Sequence, residues 1–579
     1  MKKILILLFV CYSCSSDKKQ DAIPNFNFET RFERSGGTET ATYQETISYY
    51  EALASEHPEI NLQTIGKTDS GKPLHLVTLN PSAIFDFDKI RKSKQVLLIN
   101  NGIHPGESDG IDATMMLFRD IVKGKIDVPK TTVICTIPIY NVGGSLNRNS
   151  TTRTNQNGPE SYGFRGNARN FDLNRDFIKS DTKNARAFAE IFHLVKPHVF
   201  IDNHVSNGAD YQYTLTHLFT QHNKLGGKLG DYLHEEMMPQ LEQKLKEKSW
   251  DITPYVNVFN NVPEEGFSQF MDSPRYSTGY TTLWNTLGMM VETHMLKPYK
   301  QRVEGTYELM KSMLEITDEN AEKISRLSSG TIKDYKEQTS YPIMWGIDTT
   351  QSSNLNFKGF EGDMIESEIT GKKRLKYDRD KPFLKEVVYQ NYFKPSLSVK
   401  IPEAYIIPQG WWPIIELLEI NQIEMSQFET DTILTVEAYK IKSYDTRSNA
   451  YEGHYPHYNV EVSTEKVEYE FSKGDYYIPT DQNGMRYLLE TLEPQAVDSF
   501  FNWNFFDTIL QQKEGFSPYV WEDKALEILK ENPKLKAEFE QKKSEDSNFA
   551  NNWYDQLDWL HKQSENYEKA HLRYPVYRL

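Results

Sequence analysis

Four short apolar runs, each standing next to a stretch of helical periodicity, constrain this chain more than any other feature. They are Val96 to Ile99, Thr132 to Ile139, Val199 to Ile201 and Met289 to Val291. A strand that is apolar at every position rather than at alternate ones needs cover on both faces. Ile111, Met115, Phe118 and Val122 recur at spacings of four, three and four, which predicts a helix after the first run. The expected fold class is therefore α/β, with a mixed, mostly parallel sheet covered by helices on both faces. Upstream, Thr42 to Ala54 reads as a helix. Asn61 to Gly66 and Leu74 to Leu79, split by Asp69-Ser70-Gly71-Lys72, read as a hairpin.

A chain of 579 residues has room for more than one domain. After about residue 325 its character changes to long aromatic and β-branched stretches broken by turn residues. The expected division is an α/β domain over 28–325, a strand-rich α+β accessory domain over 330–515 and a helical C-terminal tail over 516–579. Within the accessory domain Tyr405-Ile406-Ile407-Pro408 and Leu417-Leu418-Glu419 reappear as Tyr476-Tyr477-Ile478-Pro479 and Leu488-Leu489-Glu490, which predicts two similar strand-loop-helix units. Its aromatic Trp411-Trp412 and Tyr451 to Tyr458 stretches read as core and edge of a small sheet, the alternative being that this domain shapes or covers the cleft of the first.

The N-terminus begins Met1-Lys2-Lys3, runs through apolar Ile4 to Val10 and reaches Ser13-Cys14-Ser15. This stretch is too short to span a bilayer. It resembles a bacterial lipoprotein signal: 1–13 would be removed, Cys14 acylated, and 14–27 would serve as a flexible tether. The protein is then expected to be exported and lipid-anchored at the bacterial cell envelope, touching the membrane through lipid alone. Only three cysteines occur, Cys11, Cys14 and Cys135, so a disulfide framework is excluded. A formal charge of -16 and the lack of any basic block argue against nucleic acid as a partner.

Chemistry concentrates in Asn100 to Glu107, just past the first apolar run, where open α/β sheets place their ligand sites. His104 precedes a proline and is held extended, while Gly106 allows a sharp turn, so His104 and Glu107 can converge. A catalytic zinc site needs three protein ligands and a free fourth position, and His, Glu, His is a standard set. His204, in Asp202-Asn203-His204 after the third run, lies at the matching strand end. His217, His222, His234, His198, His454 and His457 are less well placed.

These residues carry a family resemblance. The chain resembles zinc carboxypeptidases of the carboxypeptidase A and D kind, whose motif is His-Pro-Gly-Glu followed far downstream by His-x-Ser. Arg165, nine residues before Asn174-Arg175, and Val291-Glu292-Thr293 at the end of an apolar strand extend the match across roughly 28–325. The resemblance implies one zinc ion held by His104, Glu107 and His204, activating water and polarising the scissile carbonyl. It implies Glu292 as general base and Arg165 as stabiliser of the oxyanion. Arg175, with Asn174 beside it, would grip the terminal carboxylate of a peptide or protein substrate, and Asp172 would orient His104. A mobile tyrosine over the bound terminus is expected from Tyr276 or Tyr280, and Tyr280 is preferred because Gly279 gives it a flexible neighbour. The expected activity is zinc-dependent removal of C-terminal residues. Two alternatives are a zinc amidase acting on cell-wall peptides or N-acyl amino acids, and a non-catalytic binding lipoprotein on a degenerate peptidase body.

Overall fold

The structure is a computed structural model describing residues 26–579, so the signal-like segment and Cys14 lie outside the described residues. Its first nine strands are β1 (Ile60–Lys67), β2 (Pro73–Leu79), β3 (Gln95–Asn100), β4 (Thr132–Ile137), β5 (Val199–Ser206), β6 (Leu215–Phe219), β7 (Ile252–Pro254), β8 (Phe267–Ser268) and β9 (Leu287–His294). All but β8 form an eight-stranded sheet in the order β1-β2-β4-β3-β5-β9-β6-β7. The central β4-β3-β5-β9 strands run parallel, as does the edge pair β6/β7. The pairs β1/β2, β2/β4 and β6/β9 are antiparallel. Every residue of β3, β4 and β5 is buried, which a sheet reaches only when both faces are covered. Helix Asp109–Val122 packs on Tyr299–Glu319 and Tyr43–Glu56, and helix Lys183–Val195 packs on β1 and β2. Cys135 is buried in β4. Among the described residues no helix is long and apolar enough to cross a membrane.

Two strands outrun their apolar segments. β5 continues past Ile201 through Asp202-Asn203-His204-Val205-Ser206, and β9 continues through Glu292-Thr293-His294. Their polar ends stay in register because β5 and β9 pair along their whole length, with His204 opposite Glu292. His204 and Glu292 are thus strand residues rather than loop residues, set side by side at the sheet's carboxyl edge.

The remaining strands are β10 (Ser340–Ile347), β11 (Ser353–Glu366), β12 (Lys373–Gln390), β13 (Phe393–Lys400), β14 (Ala404–Ile407), β15 (Ser426–Gln427), β16 (Thr432–Thr446), β17 (His457–Phe471), β18 (Tyr476–Pro479) and β19 (Arg573–Arg578). The repeated units are present as β14 followed by helix Trp412–Ile420 and β18 followed by helix Met485–Leu492. The two strands pair antiparallel with Ile406 opposite Tyr477, which are equivalent positions of the repeat.

Three boundaries differ from the sequence reading. Helix Ala321–Lys336 runs straight through the expected break between 325 and 330. β12 pairs with β8, so the β11/β12 hairpin is stitched to the first domain. The C-terminal tail is not helical to its end: four helices between Pro518 and Lys562 share their own apolar cluster, and then β19 enters the accessory sheet between β14 and β16. The Tyr451 to Tyr458 stretch is also more than core and edge, because it includes the tip of the β16/β17 hairpin, which reaches the first domain.

Candidate active site

His104 and Glu107 lie in the loop between β3 and helix Asp109–Val122, closed by a bond from the Glu107 amide to the His104 carbonyl at 2.7 Å. The left-handed residue of this loop is Gly102, with φ of +66°, and not Gly106. Gly106 sits in tight quarters instead, since a Cβ there would stand 3.1 Å from the Gly163 carbonyl oxygen and would displace the Arg153 side chain, whose Cδ would be 2.4 Å away. Asn141 ties the surroundings together, donating to the carbonyls of Ile103 at 3.1 Å and Arg165 at 2.9 Å.

The three expected ligands come together. One ligand atom from each of His104, Glu107 and His204 lies within 4.8 Å of the others, and all three residues are buried. His104 Nδ1 is 3.2 Å from Glu107 Oε1, and His204 Nδ1 is 3.0 Å from Glu107 Oε2. Both rings present Nδ1 to the common point and back Nε2 onto a carboxylate, His104 onto Asp172 at 2.9 Å and His204 onto Asp202 at 3.0 Å. Such outer carboxylates fix ring plane and tautomer and raise ligand basicity. Two imidazoles and a carboxylate, each supported from behind, fit a zinc ion in donor type and number.

Electrostatics follow from this packing. Burial opposes charge on Glu107, but His104 and Arg153 hold its carboxyl well below the usual range. Arg153 Nη1 reaches Glu107 Oε1 at 2.9 Å. Burial likewise opposes charge on His204, and Asp202 and Glu107 outweigh it to raise its pKa well above the ordinary value. Glu292 is the one residue of β9 that is not fully buried, and it stands opposite His204 in the neighbouring strand. Burial pushes its carboxyl up to about 7, with His204 opposing and Glu107 and Asp202 reinforcing. A carboxylate titrating near neutrality suits proton transfer.

Arg165 stands beside the ligands, its Nη1 3.4 Å from His104 Nδ1, while Nε and Nη2 grip Asp172 at 3.0 and 2.8 Å. Asp172 also accepts from the Asn174 amide at 2.9 Å. Burial works against its ionisation, yet His104, Arg165 and Arg175 drive its pKa far below the carboxylate range. Asn174 Oδ1 accepts from the Ser277 amide at 3.3 Å. Arg175 lies over the ring of Tyr276 at 4.5 Å.

Tyr280 is not at the site. It is wholly buried among Phe177, Phe188 and Phe192, and its hydroxyl donates to Asn421 Oδ1 at 2.6 Å. Gly279 provides close approach and not flexibility, since a Cβ there would stand 2.0 Å from the Ser273 carbonyl. Of the two tyrosines it is Tyr276 that neighbours Arg175.

Sequence reasoning missed Asp202, Arg153 and Asn141 as site residues. Asp202 had a local signal, because residues two apart in a strand share a face and Asp202 precedes His204 by two. Arg153 had none beyond being one of several arginines in that segment.

The zinc carboxypeptidase family profile matches residues 46–198, which include His104, Glu107, Arg165, Asp172, Asn174 and Arg175. Carboxypeptidase 2 of Trichophyton rubrum is 22% identical over 501 residues, covering 80% of this chain and 84% of the relative. Carboxypeptidase 2 of Trichophyton tonsurans shows the same identity and coverage. Among solved structures, carboxypeptidase A from Helicoverpa armigera aligns with a TM-score of 0.38 at 15% identity, over 49% of this chain and 74% of that one. The match over residues 46–198 and the carboxypeptidase relatives support a hydrolase of the metallopeptidase class, with the zinc carboxypeptidase likeness resting on that segment.

Proposed function

We propose that this protein is a zinc carboxypeptidase that removes C-terminal residues from peptides or proteins with a free terminal carboxylate. The observation that carries the reading is the convergence of His104, Glu107 and His204, with Glu292 paired opposite His204 on the neighbouring strand. A zinc ion held by His104, Glu107 and His204 would supply Lewis acidity for the scissile carbonyl and for water. Glu292 takes a proton from the attacking water and hands it to the leaving amine. Arg165 places a guanidinium where negative charge develops on the carbonyl oxygen. Asp172 holds Arg165 and His104 in one bonded cluster, so neither has to reorganise during the reaction. Arg175 receives the terminal carboxylate through its planar fork, aided by Asn174, which restricts cleavage to chain ends.

Export and acylation at Cys14 belong to the same proposal and rest on the Met1 to Ser16 pattern. Replacing Cys14 with Ser should abolish lipid labelling of the protein in a bacterial host. The function itself is tested by incubating the mature protein with a mixed peptide library and identifying products by mass. Stepwise loss from carboxyl ends supports the reading. Internal cuts, or cleavage confined to cell-wall peptides, would replace it with the amidase alternative.

A further inference from the structure

We propose that the accessory domain completes the grip on the substrate's terminal carboxylate, with Tyr451 as a positioning residue for Arg175. This inference rests on the carboxypeptidase reading and assigns to the second domain a part in the same site.

The contact is made by the tip of the β16/β17 hairpin. Tyr451 and His454 exchange backbone hydrogen bonds at 2.8 and 3.1 Å, closing a two-residue turn over Glu452 and Gly453. Both central residues have positive φ, +50° at Glu452 and +80° at Gly453, as a type I′ turn requires. A glutamate is a poor choice for that position, where Asn or Gly avoids the strain. Its side chain explains the choice: Glu452 Oε2 accepts from the Asp172 amide at 2.8 Å. Strain tolerated at a residue that contacts a functional loop points to a role there.

Three further contacts flank it. His454 Nε2 lies 2.8 Å from Asp181 Oδ2. Gly453 packs so close to Phe171 that a Cβ would stand 3.2 Å from its ring. Arg175 Nε donates to the Tyr451 hydroxyl at 2.9 Å. The tip therefore clamps the segment 171–181, which carries Asp172, Asn174 and Arg175.

The consequence for Arg175 is specific. Its Nε is taken by Tyr451, its Nη1 donates to the Asn174 carbonyl at 2.8 Å, and its flat face lies on Tyr276. Among the described residues Nη2 has no acceptor. The bond from Tyr451 thus fixes rotation about the end of the side chain and leaves the outer edge of the fork for a carboxylate. Tyr451 is itself held by stacking on Trp503 at 6.1 Å and by Arg275 over its ring at 5.7 Å, so its hydroxyl is presented by a rigid support.

The test compares wild type, Tyr451→Phe, Arg175→Ala and the double variant on an N-acylated dipeptide ending in the residue that wild type releases fastest. Phenylalanine keeps the stacking and removes only the hydroxyl. KM should rise roughly tenfold in Tyr451→Phe, the size expected for one hydrogen bond to a charged group, with kcat and melting temperature unchanged. In the Arg175→Ala background the same substitution should leave KM unaltered. An unchanged KM in Tyr451→Phe would overturn the inference, as would an equal KM rise with Arg175 absent or a fall in kcat accompanied by lower stability. Wild type releasing no terminal residue at all would overturn the carboxypeptidase reading and this inference together, whereas an active wild type with an indifferent Tyr451→Phe overturns this inference alone.

Discussion

Asp202→Asn isolates what the buried support of a ligand contributes. Asp202 is wholly buried and accepts from His204 Nε2 at 3.0 Å, with Ser277 Oγ and Asn100 Nδ2 as its other partners. Asparagine keeps the shape and removes the charge. His204 can then bind zinc only as a weaker, less firmly oriented base. Outer carboxylates behind ligating histidines are worth about 10 to 100-fold in metal affinity, or about 1.4 to 2.7 kcal/mol. The assay is competition for zinc against a chromogenic chelator, with the melting temperature of the zinc-free protein measured in parallel as a check on folding. The expected outcome is weaker zinc binding by that factor in a folded protein. A zinc Kd within about threefold of wild type would refute the reasoning, because it would mean that the carboxylate neither orients the ring nor raises its basicity.

Further outcomes follow from the same geometry. Glu292→Gln should lower kcat by roughly 10² to 10⁴-fold while zinc content stays at the wild-type level, as measured by steady-state kinetics and metal analysis. Tyr280→Phe should leave kcat/KM unchanged and cost about 0.5 to 1.5 kcal/mol in stability, since Asn421 Oδ1 loses the hydroxyl but keeps His193 Nε2 at 3.4 Å; a large drop in kcat/KM would return Tyr280 to the site. Asp272 is buried, and burial, only partly offset by Thr278 and Lys224, pushes its pKa up to about 6. A carboxyl whose folded pKa is raised costs nothing below its unfolded pKa, and its cost grows as pH rises and is complete above the folded value. Asp272→Asn should therefore raise the melting temperature at pH 7.5, by up to about 3 kcal/mol in stability, and bring no gain near pH 4; an equal gain at both pH values would contradict it.

The α/β core was legible because its strands are apolar at every position, a pattern that survives without knowledge of partners. The same rule cut β5 at Ile201 and β9 at Val291, since it cannot see that polar residues remain strand where a neighbouring strand still pairs with them, as β5 and β9 do to their ends. Those polar extensions hold Asp202, His204 and Glu292, so the rule stopped where the chemistry begins. His104, Glu107 and His204 were readable from motif and strand-end position together. Tyr451 and Glu452 were not, because their partners Arg175 and Asp172 lie hundreds of residues away and no local spacing links them. The preference for Tyr280 failed on a glycine read as a hinge, when Gly279 in fact relieves a clash with a neighbouring carbonyl. β19 escaped notice because a six-residue strand containing a proline follows a long charged helical stretch.

The most direct measurement is the zinc content of purified wild type and His204→Ala, determined alongside release of a terminal residue. One zinc per wild-type chain is expected, lost together with activity on chelation and restored with it on adding zinc back, and both should be severely reduced in His204→Ala. A wild-type protein that releases terminal residues at full rate after its metal has been stripped would contradict the assignment of His104, Glu107 and His204 as the ligands of a catalytic ion.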